Sequence, residues 1–164
     1  MSQRLLAEVG AMLDAYDVVR RADELRKRRL EAEGLAFLAG FAELRAKLVR
    51  PVFEAVGGLL KERGHDFAIR EEEFVFEGEG KTSEAAISLR ITPAGMETAA
   101  AADAPRRELS FSTRHYNKTV SIINGAVPQS GSMAGAGGSY SLAQIDAQLV
   151  EQELLKLVAA LVRA

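Results

Sequence analysis

Apolar residues recur at every third or fourth position over residues 1–64, and at every second position in the middle of the chain. Leu5, Val9, Met12, Tyr16 and Val19 follow the alternating four-and-three spacing of a heptad-type amphipathic helix, with Ser2 before them as an N-cap. The stripe then fails, because Asp23 and Arg26 take the next two positions before Leu30 restores it. Such a run is shorter than the three or four heptads that define a coiled coil. Residues 20–33 read RRADELRKRRLEAE, charged and made of helix formers. Asp23 precedes Lys27, and Glu24 precedes Arg28, by one helical turn in the favourable order. A largely solvated helix is predicted there, with Gly34 as a candidate break.

A second helical pattern comprises Phe37, Phe41, Leu44, Leu48, Val52, Val56 and Leu59. This face is more apolar than the first and is expected to pack on a sheet. Pro51 falls inside it and predicts a kink or a split, since proline lacks the backbone donor and its ring crowds the preceding turn. Gly64 reads as the C-capping glycine.

From Asp66 the period changes to two. Phe67 and Ile69 alternate, then Phe74 and Phe76, with Glu71, Glu72 and Glu73 breaking the phase between them. Ala85, Ile87, Leu89 and Ile91 form the cleanest strand pattern, ended by Pro93. Leu109 and Phe111 mark a third strand, and Val120 and Ile122 a fourth, joined by a turn at Tyr116, Asn117 and Lys118. Residues 93–106 and the glycine-rich stretch 125–140 read as long loops, and 94–105 and 126–139 are expected to be the least ordered parts of the chain. Ser141 and Gln144 fit a capping box opening a last helix, whose apolar face is Leu142, Ile145, Leu149, Leu154, Leu157, Val158 and Leu161.

The fold expected is α+β: a long N-terminal helical region, as a helical hairpin or as kinked helices, then a four-stranded antiparallel sheet, then a C-terminal helix packed on that sheet. Residues 1–64 form a helical arm for oligomerisation. Residues 65–164 form the sheet and last helix, with 35–64 joining them as one cooperative unit.

Composition narrows the chemistry. The 164 residues carry a formal net charge of −2, which supplies no global field for nucleic acid or an anionic membrane. With no cysteine, disulfides, thiol nucleophiles and cysteine-ligated metals are excluded. Only His65 and His115 could serve as imidazole ligands, so a three-histidine metal site is excluded too. Asp14 and Asp17 interrupt what would be the apolar core of a signal peptide, and no window of 18 uncharged apolar residues exists. A cytoplasmic protein without a membrane segment, cofactor or metal is therefore expected. The excess of arginine over lysine, together with abundant alanine, suggests a GC-rich bacterial genome.

Five features could carry function. The glycine-rich stretch before Ser141 resembles an anion-binding loop at a helix N-terminus. Ser139 and Ser141 would then contact a phosphate, with Arg114 or Lys118 supplying charge. It lacks the Gly-Lys-Ser/Thr of a Walker loop. The basic residues Arg20, Arg21, Arg26, Lys27, Arg28 and Arg29 could meet nucleic acid or an acidic partner, but acids intervene and no aromatic residue is interleaved for base stacking. Thr113 and His115 share a strand face, yet a hydroxyl–imidazole pair also needs an orienting acid. Glu71, Glu73, Glu77 and Glu79 alternate as charges protecting a sheet edge. The stripe Leu5, Val9, Met12, Tyr16 and Val19 is the expected interface of a homo-oligomer, most simply a dimer. Because no set of side chains is spaced for mutual activation, the function expected is a non-enzymatic interaction module, a small subunit or adaptor of a larger assembly with an unknown protein partner.

Overall fold

The computed structural model describes residues 2–77, 81–95, 106–127 and 134–163. The segments 96–105 and 128–133, which belong to the two predicted loops, lie outside them. The chain divides into two compact units, Met1–Ala36 and Phe37–Ala164.

Helix α1 spans Gln3–Leu44 and passes Gly34 without a break, so the predicted helical region is continuous there and no hairpin forms. One glycine costs only about 1 kcal/mol, which 42 residues rich in good helix formers offset. In the first unit, no side chain of residues 3–33 is buried.

In the second unit the helix widens over Arg45–Val49, where Arg50 N–H donates to the Arg45 carbonyl, five residues back. Helix α2 (Arg50–Glu62) follows directly, with Pro51 in its first turn. This is the predicted irregularity at Pro51. A regular helix would set the proline ring against the carbonyl four residues earlier, whereas in a first turn the missing donor has no partner to lose. Helix α2 ends in a complete Schellman motif: Gly64 N–H donates to Lys61 O at 3.1 Å, and His65 N–H to Leu60 O at 3.0 Å. Gly64 sits at φ +87°, the left-handed region that the motif requires.

The strands are β1 (Asp66–Glu72), β2 (Val75–Glu77), β3 (Lys81–Ser83), β4 (Ala86–Thr92), β5 (Arg106–Arg114), β6 (Thr119–Val127) and β7 (Ala134–Tyr140). The main sheet is antiparallel with order β1-β4-β5-β6-β7, and β2 pairs with β3 as a separate hairpin. Five strands therefore replace the expected four. The additional one, β7, is AGAGGSY, from the stretch read as a loop. Its glycines give no apolar alternation, and pairing with β6 from Val120↔Tyr140 to Ala126↔Ala134 supplies the order instead.

Alternation sorts the sheet into two faces. Ile87, Leu89 and Ile91 of β4 are fully buried. By register they share a face with Phe67 and Ile69 of β1, Leu109 and Phe111 of β5, and Val120 and Ile122 of β6. Helix α2 lies against β1, and the C-terminal helix α3 (Ala147–Arg163) against β5 and β6, so both cover this face. The core joins it to Phe37, Phe41, Val49 and Phe53 before the sheet, and to Val150, Leu154, Leu157 and Leu161 after it. Phe53 meets Phe111 with ring centroids 6.0 Å apart. Gly57 lets α2 approach β1, since a Cβ there would come within 2.5 Å of the Phe67 ring. The other face is polar: Ser88, Ser110, Ser112, Ser121 and Ser139 lie on it by register, with Arg90 paired to Glu108 at 3.0 Å.

The start of α3 departs from expectation. The Ser141–Gln144 pair forms, with Ser141 N–H donating to Gln144 Oε1 at 2.9 Å, but it closes only a single 3-10 turn, Leu142–Gln144. The α-helix begins after Asp146, whose Oδ1 accepts from Leu149 N–H at 2.9 Å and caps it.

Candidate functional site

Strand β7 presents Gly138 and Tyr140 on the core face, opposite Ile122 and Val120 of β6. Helix α3 covers β5 and β6, with β7 beyond them at the edge of the sheet. The result is an open cleft of about 320 Å³ whose polar lining is Arg107, Asn124, Tyr140, Glu153 and Lys156. The Tyr140 ring folds back along Gly138, where a Cβ would stand 3.0–3.2 Å from it.

The polar groups have defined roles. Glu153 projects from α3 and is buried despite its charge. Its Oε2 accepts from Asn124 Nδ2 at 3.0 Å, and its Oε1 from Lys156 Nζ at 3.2 Å. Asn124 Nδ2 also donates to the Glu153 carbonyl at 2.8 Å, which locks β6 to α3. The buried carboxylate is therefore paired and hydrogen-bonded, the condition for keeping a charge out of water. Arg107, half-buried on β5, forms no hydrogen bond or ion pair with any described residue. Two cations and one anion leave the cleft a formal charge of +1. Its lining contains no serine, cysteine or histidine.

These residues were not singled out from sequence, although two signals existed. Asn124 continues the inward alternation of Val120 and Ile122 with a polar group, and Glu153 falls one turn from Val150 on an otherwise apolar helix face.

The four residues proposed for the glycine-rich loop gather near one end of the sheet. Arg114 ends β5 opposite Thr119, Lys118 lies in the β5–β6 turn at φ +56°, and Ser139 and Ser141 lie at the end of β7. Ser141 N–H is taken by Gln144, Asp146 caps α3, and Ser139 points to the opposite face from the cleft.

The basic cluster is exposed along α1. Arg20 pairs with Asp17 at 3.5 Å, Arg26 with Asp23 at 3.3 Å, and Arg29 with Glu33 at 3.9 Å. Asp23 thus chooses Arg26, three residues on, over the predicted Lys27. Arg21, Lys27 and Arg28 are exposed on the same helix. The stripe Leu5, Val9, Met12, Tyr16 and Val19 is exposed throughout.

Thr113 and His115 do meet an acid, but no relay forms. Glu84 accepts from Thr113 Oγ1 at 3.1 Å and from the backbone N–H of His115 at 3.2 Å, while the His115 ring stacks on Phe74 at 4.7 Å. His65 Nδ1 accepts from Ala94 N–H at 3.0 Å. Glu71 and Glu73 neutralise Arg45 and Arg50. Arg45 is buried, pairs with Glu73 at 2.6 Å, and donates to the carbonyls of Glu72 and Ala86 at 3.1 and 3.4 Å. It pins the widened turn to the ends of β1 and β4. The remaining acids, Glu77 and Glu79, fall where no side chain is described. Among the described residues, no group of three or more acids and histidines is placed to hold a metal ion, and no helix is long and apolar enough to cross a membrane.

No protein family model, curated protein or solved structure matches the chain at a significant level.

Proposed function

We propose that the chain is a protein–protein interaction module, a small non-enzymatic subunit or adaptor that assembles through residues 3–36, most simply as a homodimer. One observation carries this reading: Leu5, Leu6, Val9, Met12, Leu13, Tyr16 and Val19 are all exposed, Met12 at 70% and Tyr16 at 63%. In water a helix draws most of its stability from burying an apolar face. The ion pairs along this one are surface pairs, each contributing about 0–1 kcal/mol. Fully burying a large apolar side chain contributes about 1.5–3 kcal/mol. Seven from each of two copies exceed the roughly 4–15 kcal/mol lost on association. A closed two-fold buries the same stripe on both partners.

Light scattering on the full chain at about 10–100 μM, above the dissociation constants of ordinary specific interfaces, tests it. A dimer that becomes monomeric in Val9→Lys plus Tyr16→Lys is expected. A monomeric parent chain would overturn the reading. The exposed arginines support a second reading, nucleic-acid contact. That reading requires a salt-sensitive shift of DNA or RNA that disappears in Arg28→Glu plus Arg29→Glu.

A further inference from the structure

We propose that the cleft between α3 and β7 binds a small organic anion, a compact body carrying a carboxylate or phosphate group. The site is separate from the apolar stripe and does not depend on the assembly reading.

The argument begins with Arg107. A guanidinium is a planar fork of donors that matches a carboxylate or phosphate in two parallel hydrogen bonds. Arg107 is half-buried in the cleft wall and meets no acid among the described residues. A partly desolvated cation is favoured by a counter-charge, and an anion entering the cleft would supply one. The second cation, Lys156, is held by Glu153 at 3.2 Å while its side chain stays 69% exposed. An ammonium has three donors, so Lys156 keeps two for a ligand.

The rest of the lining fits an organic body. Gly137 and Gly138 contribute to the floor, and Ile122 and Ala160 supply apolar wall. Tyr140, folded along Gly138, offers a ring for flat contact and a hydroxyl at its tip. Glu153 and Asn124 form a bonded pair behind the cations, which holds Lys156 in place before any ligand enters. The space, about 320 Å³, is at the small end of the roughly 300–1,000 Å³ usual for ligand sites. A single ring with one anionic group is the right scale. A nucleotide, with its several charges, would meet only two cations.

Three probes with one body separate the head groups: benzoate, phenyl phosphate and the neutral benzamide. Each is titrated into the 15N-labelled full chain, following the amides of Asn124, Gly137, Gly138 and Tyr140. At least one anion is expected to shift these signals saturably below about 1 mM, a modest affinity for one charged contact. Benzamide is expected not to shift them. The stronger of the two anions identifies the ligand class as carboxylate or phosphate. Arg107→Gln should weaken binding at least tenfold while the urea midpoint stays unchanged. Should Arg107→Gln not fold, Lys156→Gln at the exposed position decides, with a severalfold loss expected. The proposal is overturned if neither anion gives a saturable shift, if benzamide binds as well as the anions, or if binding survives the deciding substitution unchanged.

Discussion

At the residue scale, three glycines of one region answer the same substitution differently. Gly64 needs φ +87°, where an alanine Cβ crowds the carbonyl, so Gly64→Ala should cost about 1–2 kcal/mol. Gly57→Ala should cost a similar amount for a different reason, because the new methyl runs into the Phe67 ring. Gly58 is exposed in α2 and nothing lies within 4 Å of a Cβ built there. Gly58→Ala should therefore stabilise by about 0.5–1 kcal/mol, by restricting the unfolded chain and favouring helix. Urea midpoints of the three variants, at constant slope, check the signs. Arg45 is a second residue with a defined load. Arg45→Ala leaves the carbonyls of Glu72 and Ala86 without their donor, and about 1–3 kcal/mol should be lost. Arg45→Lys should recover only part of this, since an ammonium cannot reproduce the guanidinium's spread of donors.

Element by element, legibility followed how much each element depends on its own side chains. Strand β4 was plain in the sequence, because Ile87, Leu89 and Ile91 alternate with smaller or polar residues and all three are fully buried. The irregular turn before Pro51 was readable from proline's covalent chemistry alone. Strand β7 was not readable: its order comes from hydrogen bonds to β6, a partner that residues Ala134–Tyr140 do not encode. Ser141 and Asp146 are both good capping residues five positions apart, and local pattern could not tell a 3-10 turn from the true helix start. The cleft depends on this same pairing. Arg107, Asn124, Tyr140 and Lys156 come from four elements and share no spacing, so only the register brings them together. The helix start offers a check on the assignment. Asp146→Ala should cost about 1 kcal/mol in thermal or urea unfolding through loss of the bond to Leu149 N–H.

For the molecule as a whole, the division at Ala36 and Phe37 makes a thermodynamic statement. Every buried apolar residue of the core lies at position 37 or beyond. Unfolding of the sheet unit should therefore be independent of protein concentration. The helical signal of residues 3–36 should melt at a temperature that rises with concentration, as mass action requires of a segment stabilised by a second chain. Circular dichroism across a hundredfold dilution, with tyrosine fluorescence as a second probe, separates the two transitions. A single concentration-independent melt in both signals would contradict the assembly reading.

The strand order also sets how the sheet can be built in time. From β4 to β7 each strand pairs with its successor along the chain, so most of the sheet is a meander of near-neighbour contacts. Loops between such partners are quick to close, and topologies with short sequence separation fold faster than those with distant pairings. The central strand β5 and its neighbour β4 bring the apolar pairs Leu89↔Leu109 and Ile87↔Phe111, and are the natural nucleus. Strand β7, with one neighbour and few side chains to bury, joins late. In stopped-flow experiments Leu109→Ala should mainly slow refolding, whereas Tyr140→Ala should mainly accelerate unfolding. The strand that floors the cleft would then be the last part of the sheet to form and the first to be released.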